Sequence, residues 1–432
     1  MKFSKSLRTG ALLAGALLAV TACSSGTGGG GGTQEAVEIV GAFTGESADA
    51  FSEDLAVLSE QLGIEATYTP LPDFETVIQS RVTGNDRPDI AIFPQPGLLF
   101  DLARAGELKA LDDAIDVDAK NQDLVPGLLD TVTQDGSVYA LPVSMNVKSL
   151  VWYPVPEFDS AGYSAPPSTQ QLNALTDQMK GDGVTPWCVG IESGAATGWP
   201  ATDWLEEYVL RVGGPEVYDQ WVNHEIPFND PVVQQAGAAI EELLLTEGNV
   251  LGGRQGIAAT NSNDAVLPLV ADPPGCYLHR QGNFITGVMP EDVQADLESN
   301  VGVFLLPPYE GGYNGQPILG GGDFAAVFDA ENENVLRVLE GISSPEFPDA
   351  WATAREMMSP YTNFDTSRYD SEILAEIAGL VAGADTFRFD GSDMMPGEIG
   401  TGAFWTQMVA WMSGQQDLNT ALDNIEAAWP TD

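Results

Sequence analysis

Positive charge is scarce in this chain: 17 Lys and Arg stand against 63 Asp and Glu, a formal net charge of −46. Such a surface repels phosphate backbones and anionic headgroups, which excludes nucleic acid and a bare lipid surface as partners. Histidine is nearly absent, with only His224 and His279. There are three cysteines, Cys23, Cys188 and Cys276, and no Cys/His spacing of a zinc site. With two histidines to activate a thiol, a catalytic cysteine is not expected. No G-x-x-x-x-G-K-[ST] run occurs, so the chain does not itself hydrolyse nucleotide. Gly190-Ile191-Glu192-Ser193-Gly194 is one residue out of register for a G-x-S-x-G elbow. Asp116-Val117-Asp118 begins as a calcium loop would, but Lys120 takes the next ligand position and no glycine follows. A solvated acidic turn is expected there. Neither a repeat of fixed period nor a low-complexity stalk is present, which argues against an adhesive or purely structural role. No catalytic residue, metal or cofactor is expected.

What is present starts with Lys2, Lys5 and Arg8, followed by the apolar run Ala11 to Val20. That run is about half the ~20 residues a bilayer span needs, so it reads as an export signal. Leu18-Ala19-Val20-Thr21-Ala22-Cys23 resembles the lipobox of bacterial lipoproteins. The resemblance implies a signal peptide over 1–22 and acylation of Cys23, with palmitate for example, leaving that cysteine first. Residues 23–36, glycine-rich from Ser24 to Gly32, then read as a flexible tether. An exported body sits in an oxidising compartment, where Cys188 and Cys276 allow one intramolecular disulfide. Two free buried thiols are the alternative.

Downstream, Val37 to Ala42, Ile64 to Tyr68 and Asp89 to Phe93 are short, apolar strand candidates. Between them Phe51, Leu55, Leu58 and Leu62 fall at helical steps, and Phe74 to Val82 and Leu98 to Ala105 read as further helices. This alternation predicts an α/β fold with a parallel sheet covered on both faces. Tyr139 to Tyr153 breaks the rhythm as one long extended segment. Helices are expected over 203–212, 232–245, 334–342, 371–381, 403–412 and 418–429, with strands over 301–306 and 318–328.

The ordered segments VEIVGAFTGES, PDIAIFPQPGLLFDLARAGELKALD, YALPVSMNVKSLVWYP, GWPATDWLE, HRQGNFITG, LGGGDFAAVF and PGEIGTGAFWTQMVAWM resemble extracytoplasmic sugar-binding proteins of ATP-binding-cassette importers. The family is the maltose-binding-protein superfamily, and the α-glucoside-binding proteins of actinobacteria are the most similar group. The resemblance implies a type II periplasmic-binding-protein fold, two α/β lobes joined by a three-segment hinge with a ligand cleft between them. Lobe one is expected over 37–143 and 323–370, lobe two over 144–322 and 371–432. It further implies a monomeric receptor, held at the outer face of the cell membrane through Cys23, that passes an oligosaccharide to permease subunits.

Sugar recognition combines aromatic rings against C–H faces with carboxylates, amides and Arg against hydroxyls. By position in the resemblance, Trp405, Trp199 and Phe284 are the aromatic candidates, with Asn283 beside Phe284. The polar candidates lie in loops after strands, where open α/β sheets place ligands: Glu46, Gln95 and Asn146. Gln95-Pro96-Gly97 is neutral where some relatives carry a charged pair. Gly321, Gly322 and Asp323 follow Gly320, where missing side chains let backbone approach a ligand or form a hinge turn. Arg280 and Arg388 are candidate forks to hydroxyls or partners for nearby acids. Asp203 is a site candidate or a helix N-cap. The competing function is an exported glycoside hydrolase, which needs two carboxylates about 5–9.5 Å apart across a cleft. Among 63 acids a pair at that spacing is uninformative.

Overall fold

The computed structural model describes residues 36–430 except 348, 354–356 and 370, together with all their side chains but those of Glu46 and Ala195. The export signal, Cys23 and the tether to residue 35 lie outside the described residues.

The strands in chain order are β1 (Val37–Gly41), β2 (Ala66–Pro70), β3 (Ile90–Phe93), β4 (Thr133–Gln134), β5 (Ser137–Val138), β6 (Ala140–Val147), β7 (Leu150–Pro154), β8 (Trp187–Cys188), β9 (Leu278–Arg280), β10 (Val301–Leu305), β11 (Pro317–Val327) and β12 (Thr386–Phe389). Six of them form the larger sheet, in the order β12-β11-β3-β1-β2 with β6 also on β11. β1 is parallel to β2 and β3, while β11 runs antiparallel to β3 and β6 and parallel to β12. The sheet is thus mixed, where the alternating pattern alone predicts parallel pairing. A second sheet has the order β10-β7-β9-β8.

The helix Gly45–Leu62 buries Phe51 and Leu55 at the spacing read from the sequence, and Gly63 ends it in the left-handed region at φ 65°. Asp116 caps the helix Val117–Asp123 by accepting from the Ala119 amide at 3.0 Å, so the expected acidic turn is a helix start. The segment 139–153 is two strands, not one. β6 belongs to the larger sheet and β7 to the smaller, and the chain passes between them at Lys148 and Ser149.

There are two apolar cores, the first spanning the larger sheet and reaching Trp152 and Val303 of the smaller one. One holds Phe51, Ile92 and Phe324, the other Trp204, Trp221 and Trp411. Sheet membership changes at 148–149 and between Leu305 and Pro317, and after Phe389 the chain leaves the larger sheet for the second core, where Ile399 and Trp411 are buried. The stretch 371–389, expected with lobe two, touches both sheets, its helix packing on β10 and its strand pairing with Pro317–Gly320 of β11. The helix Glu372–Ala382 buries Ile373, Leu374 and Ile377 in the first core, and β12 extends β11. A four-residue strand, TFRF, is too short to register as a period in sequence. Cys188 and Cys276 form a disulfide with Cα atoms 5.6 Å apart, tying β8 to the residues leading into β9.

Candidate functional site

A cleft of about 780 Å³ lies between the two halves. One wall comes from the helices Phe74–Thr83 and Pro96–Arg104, through Glu75, Gln95 and Leu98 among others. The facing wall is Ala196, the stretch Ser392 to Glu398, Thr401 and Trp405. Gln95 and Trp405 are the sequence candidates that line it. Pro96 at the first helical position fixes the chain just after Gln95. On the other wall Gly198, at φ 117°, lies against the turn into Trp405. A Cβ there would stand 2.7 Å from the Trp405 carbonyl oxygen, so glycine lets the two tryptophan-bearing turns pack together.

Next to this wall Trp199 is half-buried, its ring centroid 6.1 Å from that of Phe284 and 5.1 Å from Lys148 Nζ. Asn283 is buried and accepts from the Val147 amide at 2.8 Å, so its side chain holds the end of β6. Asn146 and Gly321 are register partners on β6 and β11. A Cβ on Gly321 would find Lys148 Cε at 3.8 Å and Asn146 Nδ2 at 3.9 Å, ordinary contacts. Gly322 and Gly320 point the other way, where a Cβ would meet β6 backbone oxygens at 2.7 and 2.2 Å. Their missing side chains let strands approach each other. Asp323 accepts from Ser144 Oγ, and burial of its carboxyl pushes its pKa up to about 6.

A buried ionic network sits behind the Trp199 turn. Lys148 Nζ meets Asp203 Oδ1 at 3.1 Å and also Asp390. Asp203 is wholly buried within the helix Trp199–Gly213, one turn past its start, and is not its N-cap. Arg280 reaches Glu207 at 2.9 Å and Asp203 at 3.5 Å. Glu207 also pairs with Arg211 and accepts from Ser149 Oγ at 2.7 Å. Ser149 in turn accepts from the Leu319 amide on β11. Arg211 donates to the carbonyls of Leu306, Pro307 and Pro317. All three crossings are therefore bound to one network, through Lys148 and Ser149, through Leu306 to Leu319, and through Asp390.

Burial dominates the titration of these groups. It raises Asp203 to about 7, with Lys148 pulling down and Asp390 pushing up. Glu206, which accepts from the amides of Gly391 and Ser392 at 2.9 and 3.1 Å, is raised well above the usual range, by burial and then by Asp390. Asp390 moves the other way, held ionised chiefly by Lys148 against its own burial.

Arg388 is placed elsewhere. Its guanidinium forks onto Asp219 at 2.6 and 2.8 Å and also reaches Thr386 and Phe387, on the rim of a separate cavity of about 530 Å³. Trp204 is core, packed edge-on against Trp187 at 5.7 Å. Sequence reasoning missed Lys148, Glu206, Glu207, Arg211, Asp390 and Asp393. The available signal was a lysine inside the apolar run VSMNVKSLVW and a charged run, EEYVLR, on a helix otherwise apolar all round.

The model of the bacterial extracellular solute-binding protein family matches residues 44–345. This chain belongs to that family. The receptor is 39% identical over 414 residues, 96% of its own length and 97% of the relative's, to the osmoprotective compounds-binding protein GgtB of Synechocystis sp.. It is 36% identical over 406 residues to the alpha-glucosides-binding periplasmic protein AglE of Rhizobium meliloti, covering 91% of the chain and 87% of AglE. Among solved structures, a chitin oligosaccharide binding protein superposes with a TM-score of 0.75 at 16% identity, over 92% of this chain and 98% of that one. The fold is the two-lobed type II binding-protein fold expected. The protein is a substrate-binding receptor for an ATP-binding-cassette transporter, and its relatives are binding proteins, not enzymes. No helix among the described residues is long and apolar enough to cross a membrane.

Proposed function

We propose that the cleft takes an uncharged oligosaccharide of about disaccharide size, an α-glucoside or a related sugar, and that the lobes close on it before docking to the permease. The observation that carries this reading is the cleft itself. It sets an indole, Trp405, beside the amide of Gln95 and several carboxyls in a space within the roughly 300–1,000 Å³ usual for small-molecule sites. The names of the two relatives, one for alpha-glucosides and one for osmoprotective compounds, favour a neutral, hydroxyl-rich solute. Trp199, Phe284 and Asn146 extend the site toward the crossings. Glu46 belongs with it by its place after β1, and Asp323 by its place beside β6. Arg280 and Asp203 support the Trp199 turn from behind, and Arg388 serves the separate cavity.

Closure follows only if the sugar bonds both lobes at once, since a ligand shifts an equilibrium by its difference in affinity for the two states. Cys23 supplies the membrane attachment by acylation, and the receptor acts as a monomer. Calorimetry against maltose, trehalose, sucrose and cellobiose tests the ligand class. Saturable one-to-one binding of an α-linked sugar, with no monosaccharide released, is expected. Turnover of any of these sugars without stable binding would show a hydrolase instead. Replacement of Cys23 by alanine is expected to release a sugar-competent protein from cells while uptake is lost.

A further inference from the structure

We propose that Asp393 is a ligand-contacting, specificity-determining residue of the cleft, holding an oxygen of the bound sugar with its carboxyl group. The inference rests on the reading of the cleft as a sugar site. Asp393 lies in the short helix Gly391–Met394, whose backbone packs against the helix across the cleft. A Cβ on Gly97 would stand 3.0 Å from the Asp393 carbonyl oxygen. The side chains beside it are already engaged. Asp390 holds Lys148 and accepts from Ser392 Oγ at 2.8 Å, and the Ser392 amide is bound to Glu206. The Asp393 carboxyl has no hydrogen bond or ion pair with any described residue, although it lines the cleft. The side chain is half-buried on the cleft wall with its hydrogen-bonding capacity unused, so a ligand hydroxyl can take it up.

The surroundings decide which form of the acid binds. Asp390 caps the short helix, Asp203 acts on it from the helix Trp199–Gly213 with Glu206 beside Asp203, and Lys148 from the first crossing. Glu75 approaches from the helix Phe74–Thr83, Asp101 and Arg104 from Pro96–Arg104, and Glu398 from the turn that follows. Asp219 on the helix Pro215–Val222 and Arg388 on β12 belong to the separate cavity. Arg104 is tied to Asp101, Arg388 to Asp219, and Lys148 to Asp203 and Asp390. No cation forms an ion pair with Asp393; burial and then Asp390 raise its pKa well above the ordinary range, with Lys148 pulling the other way. In its neutral form it both donates and accepts, as an uncharged polyol requires, whereas the ionised form only accepts.

Maltose and trehalose are the probes, titrated calorimetrically between about pH 5 and pH 9. Wild-type affinity is expected to fall at least tenfold as the pH rises. Asp393→Asn keeps an N–H donor and a C=O acceptor at every pH. It is expected to bind within about threefold of the low-pH wild type, with a flat profile. Asp393→Leu should lose at least tenfold throughout. A flat wild-type profile, a slope that persists in Asp393→Asn, or an unaffected leucine variant overturns the inference. A persisting slope would assign the pH dependence to Asp203 or Glu206. If the variants fail to fold, isotope-edited infrared spectroscopy of the wild type serves instead. Maltose must shift the C=O stretch of a protonated aspartic acid, and no shift overturns the inference. Protein that binds neither sugar at any pH overturns the sugar reading and the inference with it. Binding indifferent to residue 393 overturns the inference alone.

Discussion

Lys148 shows how a chain with 17 basic residues spends them. Its ammonium is buried between Asp203 and Asp390 and faces the Trp199 ring, so one cation fixes two carboxylates and an aromatic wall. Lys148→Met is expected to destabilise the protein by about 3–5 kcal/mol, the usual effect of stranding a buried partner, read as a lower urea midpoint. Asp203 gives a pH signature. Its folded-state pKa of about 7 exceeds the ordinary 3.8, so the folded protein holds a proton the unfolded chain releases. That contribution is complete below about pH 4 and is lost as the pH rises through about 7. Urea-unfolding free energy should therefore decline more steeply between pH 5 and pH 8 in the wild type than in Asp203→Asn. His279, lowered to about 4 by burial, works in the opposite direction but is common to both proteins and cancels in the comparison. Neither role was legible in sequence. A buried Asp–Lys–Asp arrangement joins residues 148, 203 and 390, and no local period marks such a contact.

At the level of elements, amphipathic spacing located most helices, because it reports which face is buried whatever the topology. Pairing direction and sheet membership were less visible. VSMNVKSLVWY is uniformly apolar apart from Lys148, so nothing in its pattern shows that β6 and β7 join different sheets. The glycine run was recognised, but the face each glycine occupies depends on register with β6. Gly320→Ala would place a Cβ 2.2 Å from the Asn146 carbonyl and 2.4 Å from the Phe387 ring. It is expected to cost about 1–3 kcal/mol through overpacking, whereas Gly321→Ala should be nearly neutral in thermal melts. Equal effects at the two positions would contradict the register of β6 on β11. The site was partly legible: Gln95 sits between β3 and a helix, Trp405 lies where one helical segment runs into the next, and both line the cleft. Arg388 also flanks a strand, but its partner Asp219 comes from a distant helix and takes its donors.

Over the whole molecule, capture requires contacts on both sides of the cleft. Trp405→Ala and Asn146→Ala are each expected to lower sugar affinity at least tenfold while leaving the thermal transition nearly unchanged, since both side chains are only half-buried. Wild-type affinity in both variants would move the site elsewhere. The assembly of the larger sheet has a separate consequence for biogenesis. β1 begins at Val37 and β12 ends at Phe389, so the sheet takes strands from nearly opposite ends of the described chain. Such non-local pairing is slow to form, and β11 keeps an open edge until β12 arrives. A chain emerging from a translocation channel, amino terminus first, cannot complete this sheet until the segment past Phe389 has crossed. The larger sheet is therefore expected to gain its last edge strand only late in transit.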